Sequence, residues 1–355
     1  MAKTIYVTST QHFSGKSALC AGLLHHLQQD RLRVGYMKPI STTARLMGTQ
    51  AVDEDAQFMK GHFHLGDSLE MMVPVVLTDQ KIAAVLAGEE KDLSGEVFSA
   101  FEAVSDEKDV VVLEGGGSLR EGAIVHLAPP DVSDLLRVRE LVVIPYNSGL
   151  QVLDDLITAR VRLGESLLGS VINSVPRHRL DFVRKKIKPF IDSRGIPIFG
   201  IIPREKVLLA VSVRELAEGV NGEVLCAEQE LEALAENLVV GAMSADSALT
   251  HFRRKLNKAV ITGGDRPDIQ LAAMETSTCC LILTGNIRPP EQIIIRAEQQ
   301  GIPLVLTRYD TMTTIERIDR FFGKTRFQQG KKLEHFEALL KKHMDFKMLY
   351  QSLGL

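Results

Sequence analysis

Short apolar runs recur through the first two hundred residues, separated by stretches whose apolar positions repeat at helical spacing. The runs lie at 5–8, 33–37, 109–113, 141–145, 169–173 and 196–203. Runs of this length are typical of buried strands, whereas the leucines between residues 19 and 27 fall on one face of a helix. The regular alternation predicts an α/β fold whose mainly parallel sheet has helices on both faces and right-handed crossovers.

The pattern changes near Lys206 and predicts a second, smaller α/β domain. The stretch 213–245 is acidic and is predicted to be rich in helix, with an extended segment near its end. Three further strands are predicted at 259–262, 281–284 and 303–307, and each of them precedes a polar turn.

These changes predict a first domain at 1–207, a second domain at 208–325 and a C-terminal tail at 326–355. In the tail, basic and apolar residues alternate at helical spacing from Lys331 to Leu349. The pattern predicts a helix that packs either on the domain or on a partner subunit.

The composition of the 355-residue chain is that of a soluble globular protein, with 45% apolar and 25% charged residues. A formal net charge of −3 and dispersed basic residues give no reason to expect nucleic acid as a partner. The longest apolar runs are too short to span a membrane, and the first strand begins too early to leave room for a signal peptide. We therefore expect no membrane partner and a cytoplasmic location.

The turn between the first strand and the first helix ends in Gly15-Lys16-Ser17, the chemical end of a phosphate-binding P-loop. Backbone N–H groups and the positive helix N-terminus of such a loop hold phosphate oxygens, the lysine reaches the outer phosphates and the serine ligates Mg²⁺. Thr10 replaces the first glycine of G-x-x-x-x-G-K-[ST]. The strand-to-helix context still favours phosphate binding over an ordinary turn.

Lys38 and two aspartates follow the second predicted strand. Pro39 keeps Lys38 out of helical geometry and so places it at the carboxyl edge of the sheet, where ligands bind in open parallel sheets. Taken alone, Lys38 would be better explained as a solvated loop residue. Asp53 and Asp55 could cap a helix, or one of them could reach Mg²⁺, and the sequence leaves that choice open.

Two more polar residues end predicted strands. Glu114 follows a buried strand directly and precedes three glycines, 115–117, which leave bare backbone for an approaching phosphate. A carboxylate at this edge suits Mg²⁺, and we favour that function over a solvated turn. Asn173 ends a later strand, where its carboxamide either stabilises a turn or contacts the edge of a nucleobase.

Four segments, taken in order, resemble the dethiobiotin synthetase-like branch of P-loop proteins, which also has threonine at the first glycine position. They are 10–17, 36–39, 112–117 and 171–173. The resemblance implies that ATP and Mg²⁺ are the cofactors, that Lys16 and Lys38 contact phosphate or substrate as catalytic residues, and that Asn173 faces adenine. The implied nucleotide-binding residues are Thr10, Ser14, Gly15, Lys16, Ser17, Ala18, Gly115, Gly116 and Asn173. The implied metal ligands are Ser17, Asp55 and Glu114.

The second half resembles a DRTGG domain at 201–203, 212–216, 239–243, 261–266 and 309–311. The whole series is similar to the N-terminal region of long bacterial phosphate acetyltransferases, in which these two domains precede the acetyltransferase domain. That catalytic domain would need roughly two more average domains of chain, so acetyl transfer is not expected from this polypeptide alone. The turn at 263–266 either holds an anion or shapes a subunit contact, and we favour the contact.

The resemblance leads to two main hypotheses for function. The first is a regulatory or sensory protein that binds ATP and Mg²⁺, with the DRTGG domain as a dimerisation or second ligand module and at most a slow ATPase. Residues 9–12 depart from the synthetase pattern, and we expect His12 to be a spectator. The alternative is an ATP-dependent ligase that activates a carboxylate or carbamate, like dethiobiotin synthetase or cobyrinic acid a,c-diamide synthase.

The third hypothesis, a structural protein with an inactive P-loop, fits the intact Gly15-Lys16-Ser17 less well. The expected partners are a nucleotide, a second copy of the chain and a separate metabolic enzyme. The homodimer is implied by the resemblance alone.

Overall fold

The computed structural model describes residues 2–47, 50–88, 92–319 and 330–355. Its strands, in chain order, are β1 (Lys3–Ser9), β2 (Val34–Met37), β3 (Ile40–Ser41), β4 (Arg45–Met47), β5 (Gln50–Val52), β6 (Val75–Val76), β7 (Val110–Glu114), β8 (Arg139–Pro145), β9 (Leu167–Val175), β10 (Ile198–Pro203), β11 (Val211–Ser212), β12 (Glu223–Cys226), β13 (Leu234–Ala235), β14 (Asn237–Val240), β15 (Lys258–Gly263), β16 (Thr278–Thr284) and β17 (Leu304–Leu306).

The helices, in chain order, are α1 (Lys16–Gln29), α2 (Glu54–His62), α3 (Leu69–Met72), α4 (Asp79–Leu86), α5 (Leu93–Ser105), α6 (Pro129–Leu136), α7 (Gly149–Leu163), α8 (Leu180–Phe182), α9 (Lys188–Asp192), α10 (Lys206–Leu209), α11 (Val213–Gly219), α12 (Ala245–Phe252), α13 (Pro267–Met274), α14 (Glu291–Gln300), α15 (Thr311–Asp319), α16 (Gly330–His343) and α17 (Phe346–Leu353). A π-helical turn at Val183–Ile187 joins α8 to α9. In the described ranges, no helix has both the length and the apolar composition needed to cross a membrane.

The chain forms two compact units. The first extends to Arg204 and also includes α16 and α17, whereas the second begins at Glu205 and its last described element is α15. The C-terminal helices pack within the first unit, α16 against α1 and β10 and α17 against β10. The domain boundary expected near residue 325 lies outside the described residues.

The first unit is built on a six-stranded sheet in the order β10-β9-β8-β1-β7-β2. Every described pairing in it is parallel, which confirms the predicted mainly parallel sheet. Because parallel strands share one carboxyl edge, the segments that follow β1, β2, β7, β8 and β9 all begin at that edge. Two small strand pairs that the sequence did not predict, β3 with β6 and β4 with β5, follow β2.

Helices cover both faces of this sheet. On one face, Val97 and Val104 of α5 pack against Val111 and Leu113 of β7. Farther along the same sheet, α7 and the π-helical turn pack on β8, β9 and β10. α1 also packs on β1 and β7, but its buried residues belong to neither of these two clusters, so it covers the opposite face. The predicted arrangement of helices is therefore confirmed.

The second unit contains a five-stranded sheet in the order β12-β17-β16-β15-β14. Strands β14 to β17 are parallel, and the edge strand β12 pairs antiparallel with β17. α12, α13 and α14 contribute to one core of this unit, and α11 and α15 contribute to another. The second α/β domain predicted from the sequence is present in this form.

The helix-rich segment predicted at 213–245 is wrong in detail. After the seven-residue α11, this stretch contains β12, β13 and β14 and one short 3₁₀ turn at Glu228–Glu230. Its glutamates, leucines and alanines are good helix formers, but pairing with neighbouring strands overrides that local preference. Glu215 and Glu218 lie in α11, whereas the later acidic residues of this stretch lie in β12, in turns and in loops.

Candidate functional site

The turn after β1 has a backbone conformation that requires glycine. Gly15, the last residue before α1, has a φ of 92°, in the left-handed region that other residues rarely adopt. A Cβ atom at Gly15 would lie 2.3 Å from Nδ2 of Asn173, so the position also lacks room for a side chain. Both the backbone conformation and the packing therefore require glycine at this position of the P-loop motif.

The N-terminus of α1 presents backbone donors at the end of this turn. The first described backbone hydrogen bond into the helix runs from Leu19 N to Gly15 O at 3.0 Å, so the N–H groups of Lys16, Ser17 and Ala18 precede it. The first turn of α1 contains no acidic residue. The positive end of the helix can therefore attract an anion.

Two hydroxyls of the same turn are buried without a hydrogen-bond partner. They are Thr10 Oγ1 and Ser14 Oγ, and neither has a partner among the described residues. Leaving a buried donor unpaired costs roughly 1–3 kcal/mol. The pair therefore fits a bound group that supplies acceptor oxygens, such as a phosphate.

The ammonium group of Lys16 is enclosed beside β1. The residue is 8% exposed, and its Nζ donates to Ser9 Oγ at 3.1 Å. Burial lowers the pKa of Lys16, although the nearby Glu114 and Glu121 carboxylates act in the opposite direction. An anion bound next to Lys16 would offset the cost of burying its charge.

Ser17 connects α1 to the end of β7. Its Oγ donates to Glu114 Oε1 at 2.6 Å and lies 3.5 Å from Asp55 Oδ2. Glu114 is 2% exposed, and the hydroxyl of Tyr36 donates to its other oxygen at 2.8 Å. Burial and the charge of Asp55 raise the pKa of Glu114, against the opposing effect of Lys38, Ser17 and Lys16.

The oxygen-bearing side chains of Ser17, Asp55 and Glu114 fit a magnesium ion. Within the described ranges, no group of three or more His, Cys, Asp or Glu side chains is arranged to hold a metal. Mg²⁺ does not need such a cage, because it commonly binds one or two carboxylates and completes its shell with water and substrate phosphates. Ser17, Asp55 and Glu114 supply two carboxylates and a hydroxyl next to the phosphate-binding turn.

Lys38 lies in the same cluster and separates the roles of the two aspartates. Its Nζ contacts Asp53 Oδ2 at 2.8 Å and Asp55 Oδ2 at 3.3 Å. Asp53 caps α2 through the N–H of Ala56 and also accepts a hydrogen bond from Ser41 at 2.5 Å. Asp53 is therefore fully engaged in structure, whereas Asp55 approaches Ser17.

Burial lowers the pKa of Lys38, but the Glu114, Asp55 and Asp53 carboxylates outweigh this effect and the net shift is upward. For Asp53, burial alone would raise the pKa. The Lys38 ammonium and the hydrogen bonds from Ser41 and Ala56 outweigh burial, so the pKa of Asp53 is lowered overall. The buried pair is therefore ionised as an ammonium and a carboxylate.

A glutamate that sequence reasoning missed lies over the glycine run. The carboxylate of Glu121 accepts hydrogen bonds from the N–H of Gly117 and from the hydroxyl of Thr42. A Cβ atom at Gly116 would lie 2.7 Å from Glu121 Cδ, and one at Gly117 would overlap His12 at 2.0 Å. The bare backbone predicted at 115–117 is therefore partly covered by the chain's own side chains.

Gly115 and Asn173, which were also predicted to bind the nucleotide, both make hydrogen bonds within the chain. Gly115 extends the sheet, with its N–H donating to Val7 O at 2.8 Å. Asn173 Nδ2 donates to Ser14 O at 2.8 Å, and its Oδ1 accepts from Ser174 N at 2.8 Å. Asn173 thus holds the P-loop in place, a contact that the strand-end position alone did not reveal.

The loops after β1 and β8 are also joined. Gln11 donates to Asp155 at 2.8 Å and accepts from Asn147 at 3.1 Å. Asp155 belongs to α7, and Asn147 follows β8. Residues 9–12, where the chain departs from the synthetase pattern, therefore make contacts to a neighbouring loop and helix.

In the second unit, the DRTGG turn is occupied by internal contacts. The guanidinium of Arg266 pairs with Asp268 at 2.9 Å and donates to Met243 O at 3.0 Å. A Cβ atom at Gly264 would lie 1.7 Å from Ile287 O. Arg266 and Gly264 therefore take part in close contacts between the turns at this edge of the sheet.

Comparison with known proteins matches both halves of the chain. A family model described as an AAA domain matches residues 3–212, and a DRTGG domain model matches residues 215–321. Phosphate acetyltransferase from Nitratidesulfovibrio vulgaris is 24% identical over 366 residues, covering 97% of this chain and 51% of that protein. The enzyme of the same name from Pseudomonas aeruginosa is also 24% identical, covering 99% of this chain and 52% of that protein.

A shorter match involves ATP-dependent dethiobiotin synthetase from Caldicellulosiruptor saccharolyticus, which is 25% identical over 119 residues, or 33% of this chain and 49% of that enzyme. The chain spans about half the length of the curated relatives it matches.

Similar solved structures include septum site-determining protein MinD complexed with Mg-ADP from Pyrococcus horikoshii. Its TM-score is 0.35 at 15% identity, covering 59% of this chain and 84% of that chain. Another is the CBS and DRTGG regulatory region of Clostridium perfringens pyrophosphatase complexed with diadenosine tetraphosphate, with a TM-score of 0.29 at 22% identity, covering 38% and 67% of the respective chains. At these TM-scores the similarity carries no information on ligands.

The AAA domain model covers more than half of the chain and includes the P-loop, β7 and β9. The DRTGG model covers most of the second unit. The chain therefore belongs to the AAA-domain family of P-loop proteins, and its P-loop and DRTGG domains together are homologous to the N-terminal half of phosphate acetyltransferases.

Proposed function

We propose that the chain is a regulatory or sensory protein that binds ATP with Mg²⁺ at the P-loop. The observation that carries this proposal is the contact between Ser17 and Glu114 at 2.6 Å. It brings the hydroxyl of the P-loop and a buried carboxylate of the neighbouring strand to one point, with Lys16 alongside. Convergence of these groups is what Mg²⁺-dependent phosphate binding requires.

Within the proposal, the phosphates are held by backbone amides at the start of α1, by Lys16 and by the buried hydroxyls of Thr10 and Ser14. The nucleotide-binding residues are Thr10, Ser14, Gly15, Lys16, Ser17, Ala18, Gly115, Gly116 and Asn173. Bound Mg²⁺ would supply charge neutralisation for the phosphates, and Ser17, Asp55 and Glu114 would hold it. Asn173 would act at the adenine side as well as supporting the loop.

The contacts of two residues, Glu121 and Lys38, favour sensing over rapid turnover. Glu121 occupies the N–H of Gly117 and the hydroxyl of Thr42 beside the phosphate-binding turn, which are donors that a second, acidic substrate would need. Lys38 is paired with Asp53 and Asp55, so its charge is already balanced by the chain. Because these groups already contact other parts of the chain, they are not available to a second substrate. Such a site is suited to holding a nucleotide.

An ATP-dependent ligase is the second candidate, and Lys38 is the residue that favours it. A buried ammonium next to the Mg²⁺ ligands could stabilise charge on a transferring phosphoryl group. Similarity to dethiobiotin synthetase over 33% of the chain points the same way. Substitution of Lys38 would then abolish turnover while largely sparing nucleotide affinity, provided that the variant remains folded.

The proposal also places the protein in the cytoplasm as a homodimer that acts on a separate metabolic enzyme. The DRTGG domain would serve as the dimerisation or second ligand module. A protein of this kind would pass its nucleotide state to a partner through that domain.

A thermal-shift panel combined with a phosphate-release assay tests the proposal. ATP, ADP, GTP and cyclic dinucleotides are added with Mg²⁺ to the wild type and to Lys16→Ala, because specific binding raises stability by mass action. We expect a concentration-dependent shift with ATP that is lost in Lys16→Ala, and little phosphate release. Fast ATP consumption that depends on a small carboxylate or amine would instead support the ligase, and no shift with any nucleotide would contradict both.

A further inference from the structure

A second cleft, unrelated to the P-loop, lies at the β10 edge of the sheet in the first unit. Its volume is about 690 Å³, and it is bounded by the π-helical turn and α9, by β10 and by the connection between α16 and α17. None of its described lining residues belongs to the nucleotide site. Six of its fourteen lining residues are basic: Arg184, Lys188, Lys341, Lys342, His343 and Lys347.

Positive charge is concentrated in this cleft. Asp345 is the one acidic residue on its described lining, and its carboxylate is used to cap α17 through the N–H of Met348 at 2.9 Å. Lys188 is paired with Asp192 at 2.8 Å. Within the described part of the chain, Lys342 and Lys347 make no ion pair closer than 4.0 Å. Because the whole chain has a net charge of −3, this local excess of cations is not a general property of the surface.

The edge of β10 at the floor of the cleft is not available for pairing with an added peptide strand. The N–H of Asp345 donates to Phe199 O at 2.7 Å, and Gly200 forms an antiparallel bridge with Met344. The free edge of β10 is thus already paired at the point where a strand could add. Phe199 and Met344 are buried at 1% and 7% exposure, so the apolar side chains of the floor are largely covered, and the partly exposed Phe346 and Met348 lie beside the cations.

We propose that this cleft binds a compact polyphosphate anion, either free or as the polyphosphate end of a nucleotide. Its volume lies within the range of small-molecule sites, roughly 300–1,000 Å³. Neighbouring phosphates carry several negative charges in a small volume, which matches lysine ammonium groups and the Arg184 guanidinium placed around one concavity. The cations come from two separate chain segments that the fold brings together, 184–188 and 341–347.

Calorimetric titration of the full chain with inorganic tripolyphosphate tests the proposal. Lys16→Ala is the background, so that binding at the P-loop does not contribute. In this background, Lys342→Ala with Lys347→Ala is expected to weaken tripolyphosphate binding by at least about tenfold, since two charge-assisted contacts to phosphate oxygens are lost. The matched control is Lys185→Ala with Lys186→Ala, which removes the same charge from lysines of the π-helical turn that do not line the cleft.

Three outcomes would overturn the proposal: absence of tripolyphosphate binding, equal weakening in the control pair, or equally tight binding of citrate. Equal weakening would indicate a general charge effect, and citrate binding would indicate a site for any trianion. Titration with ATP in the same background distinguishes the source, because a nucleotide ligand would bind at least as tightly as tripolyphosphate and would show the same dependence on Lys342 and Lys347. This test is independent of the proposed nucleotide function, because it is carried out without the P-loop lysine.

Discussion

Ser17 and Glu114 are 97 positions apart in the chain, yet the Ser17 hydroxyl donates a hydrogen bond of 2.6 Å to the Glu114 carboxylate. The contact exists because β1 and β7 are neighbouring parallel strands, and both residues lie at their carboxyl edge. Ser17 lies in the first turn of α1, which follows β1, and Glu114 ends β7. The pair therefore joins the phosphate-binding and metal-binding parts of the candidate site.

Glu114→Gln should remove the Mg²⁺-dependent part of ATP affinity. Glutamine keeps one acceptor oxygen for the hydroxyls of Ser17 and Tyr36, replaces the other with an NH₂ donor, and lacks the negative charge that a hard cation prefers. We expect affinity measured by calorimetry with Mg²⁺ to fall about tenfold or more, by analogy with the loss of metal-site residues. Affinity measured with EDTA should be nearly unchanged. Equal Mg²⁺ dependence in wild type and variant would exclude Glu114 as a ligand.

Lys38→Met should destabilise the first unit strongly. The substitution leaves Asp53 as an unpaired carboxylate at 4% exposure, and removing one partner of a buried ion pair costs roughly 3–5 kcal/mol. Urea denaturation would measure this loss. Adding Asp53→Asn to Lys38→Met removes the stranded charge and should recover much of the stability. A single variant as stable as the wild type would mean that the pair is not buried as described.

Glu140→Gln should make stability less dependent on pH. Glu140 is fully buried, and Thr8 and Ser133 each donate a hydrogen bond of 2.6 Å to it. Burial raises the pKa of Glu140 from 4.5 to about 7 in the folded protein, against the effect of these two hydroxyls. Between those values the folded state binds more protons than the unfolded state, so stability falls as pH rises from 4.5 to 7.

Above pH 7 this loss of folding stability from Glu140 is complete and amounts to ~3 kcal/mol. Glutamine stays neutral, so Glu140→Gln should flatten the decrease between pH 5 and 7 and raise the stability at neutral pH. Chemical denaturation at a series of pH values measures both effects. The Glu102→Gln variant, at an exposed position of α5, is a control that should keep the wild-type slope. An unchanged slope in Glu140→Gln would refute the assignment.

Glu121→Ala should open a binding position for small carboxylates next to the P-loop. The substitution frees the N–H of Gly117 and the hydroxyl of Thr42, which then offer two donors to an incoming anion. With ATP and Mg²⁺ present, acetate or formate should raise the melting temperature of Glu121→Ala more than that of the wild type. Glu102→Ala serves as the matched control. The same shift in all three proteins would show that Glu121 does not occupy an acceptor position.

The sequence predicted those features that depend on strand order and local chemistry. Because Lys38 and Glu114 each follow a strand of one parallel sheet, their proximity to Lys16 follows from the predicted topology. The sequence also left Asp53 and Asp55 as alternatives, and only the contacts around α2 separate them. Asp53 caps α2 because its side chain turns back onto the start of that helix. The pattern of residues does not show which of the two aspartates adopts this orientation.

Other features depend on how loops fold and could not be predicted in this way. Glu121 approaches Gly117 through a loop whose path has no periodic signal. Asn173 binds the carbonyl of Ser14, a contact between segments 159 positions apart. The extended segment predicted at the end of 213–245 corresponds to β14, but β12 and β13 were missed because their helix-forming residues are held extended by neighbouring strands.

The central claim is that the P-loop binds ATP together with Mg²⁺. Calorimetric titration of ATP into the full chain, with Mg²⁺ and with EDTA, tests it most directly when wild type is compared with Lys16→Ala. We predict saturable binding in the wild type that is stronger with Mg²⁺, and loss of that binding in a folded Lys16→Ala variant. Binding that is absent from the wild type, or that survives unchanged in Lys16→Ala, would contradict the account.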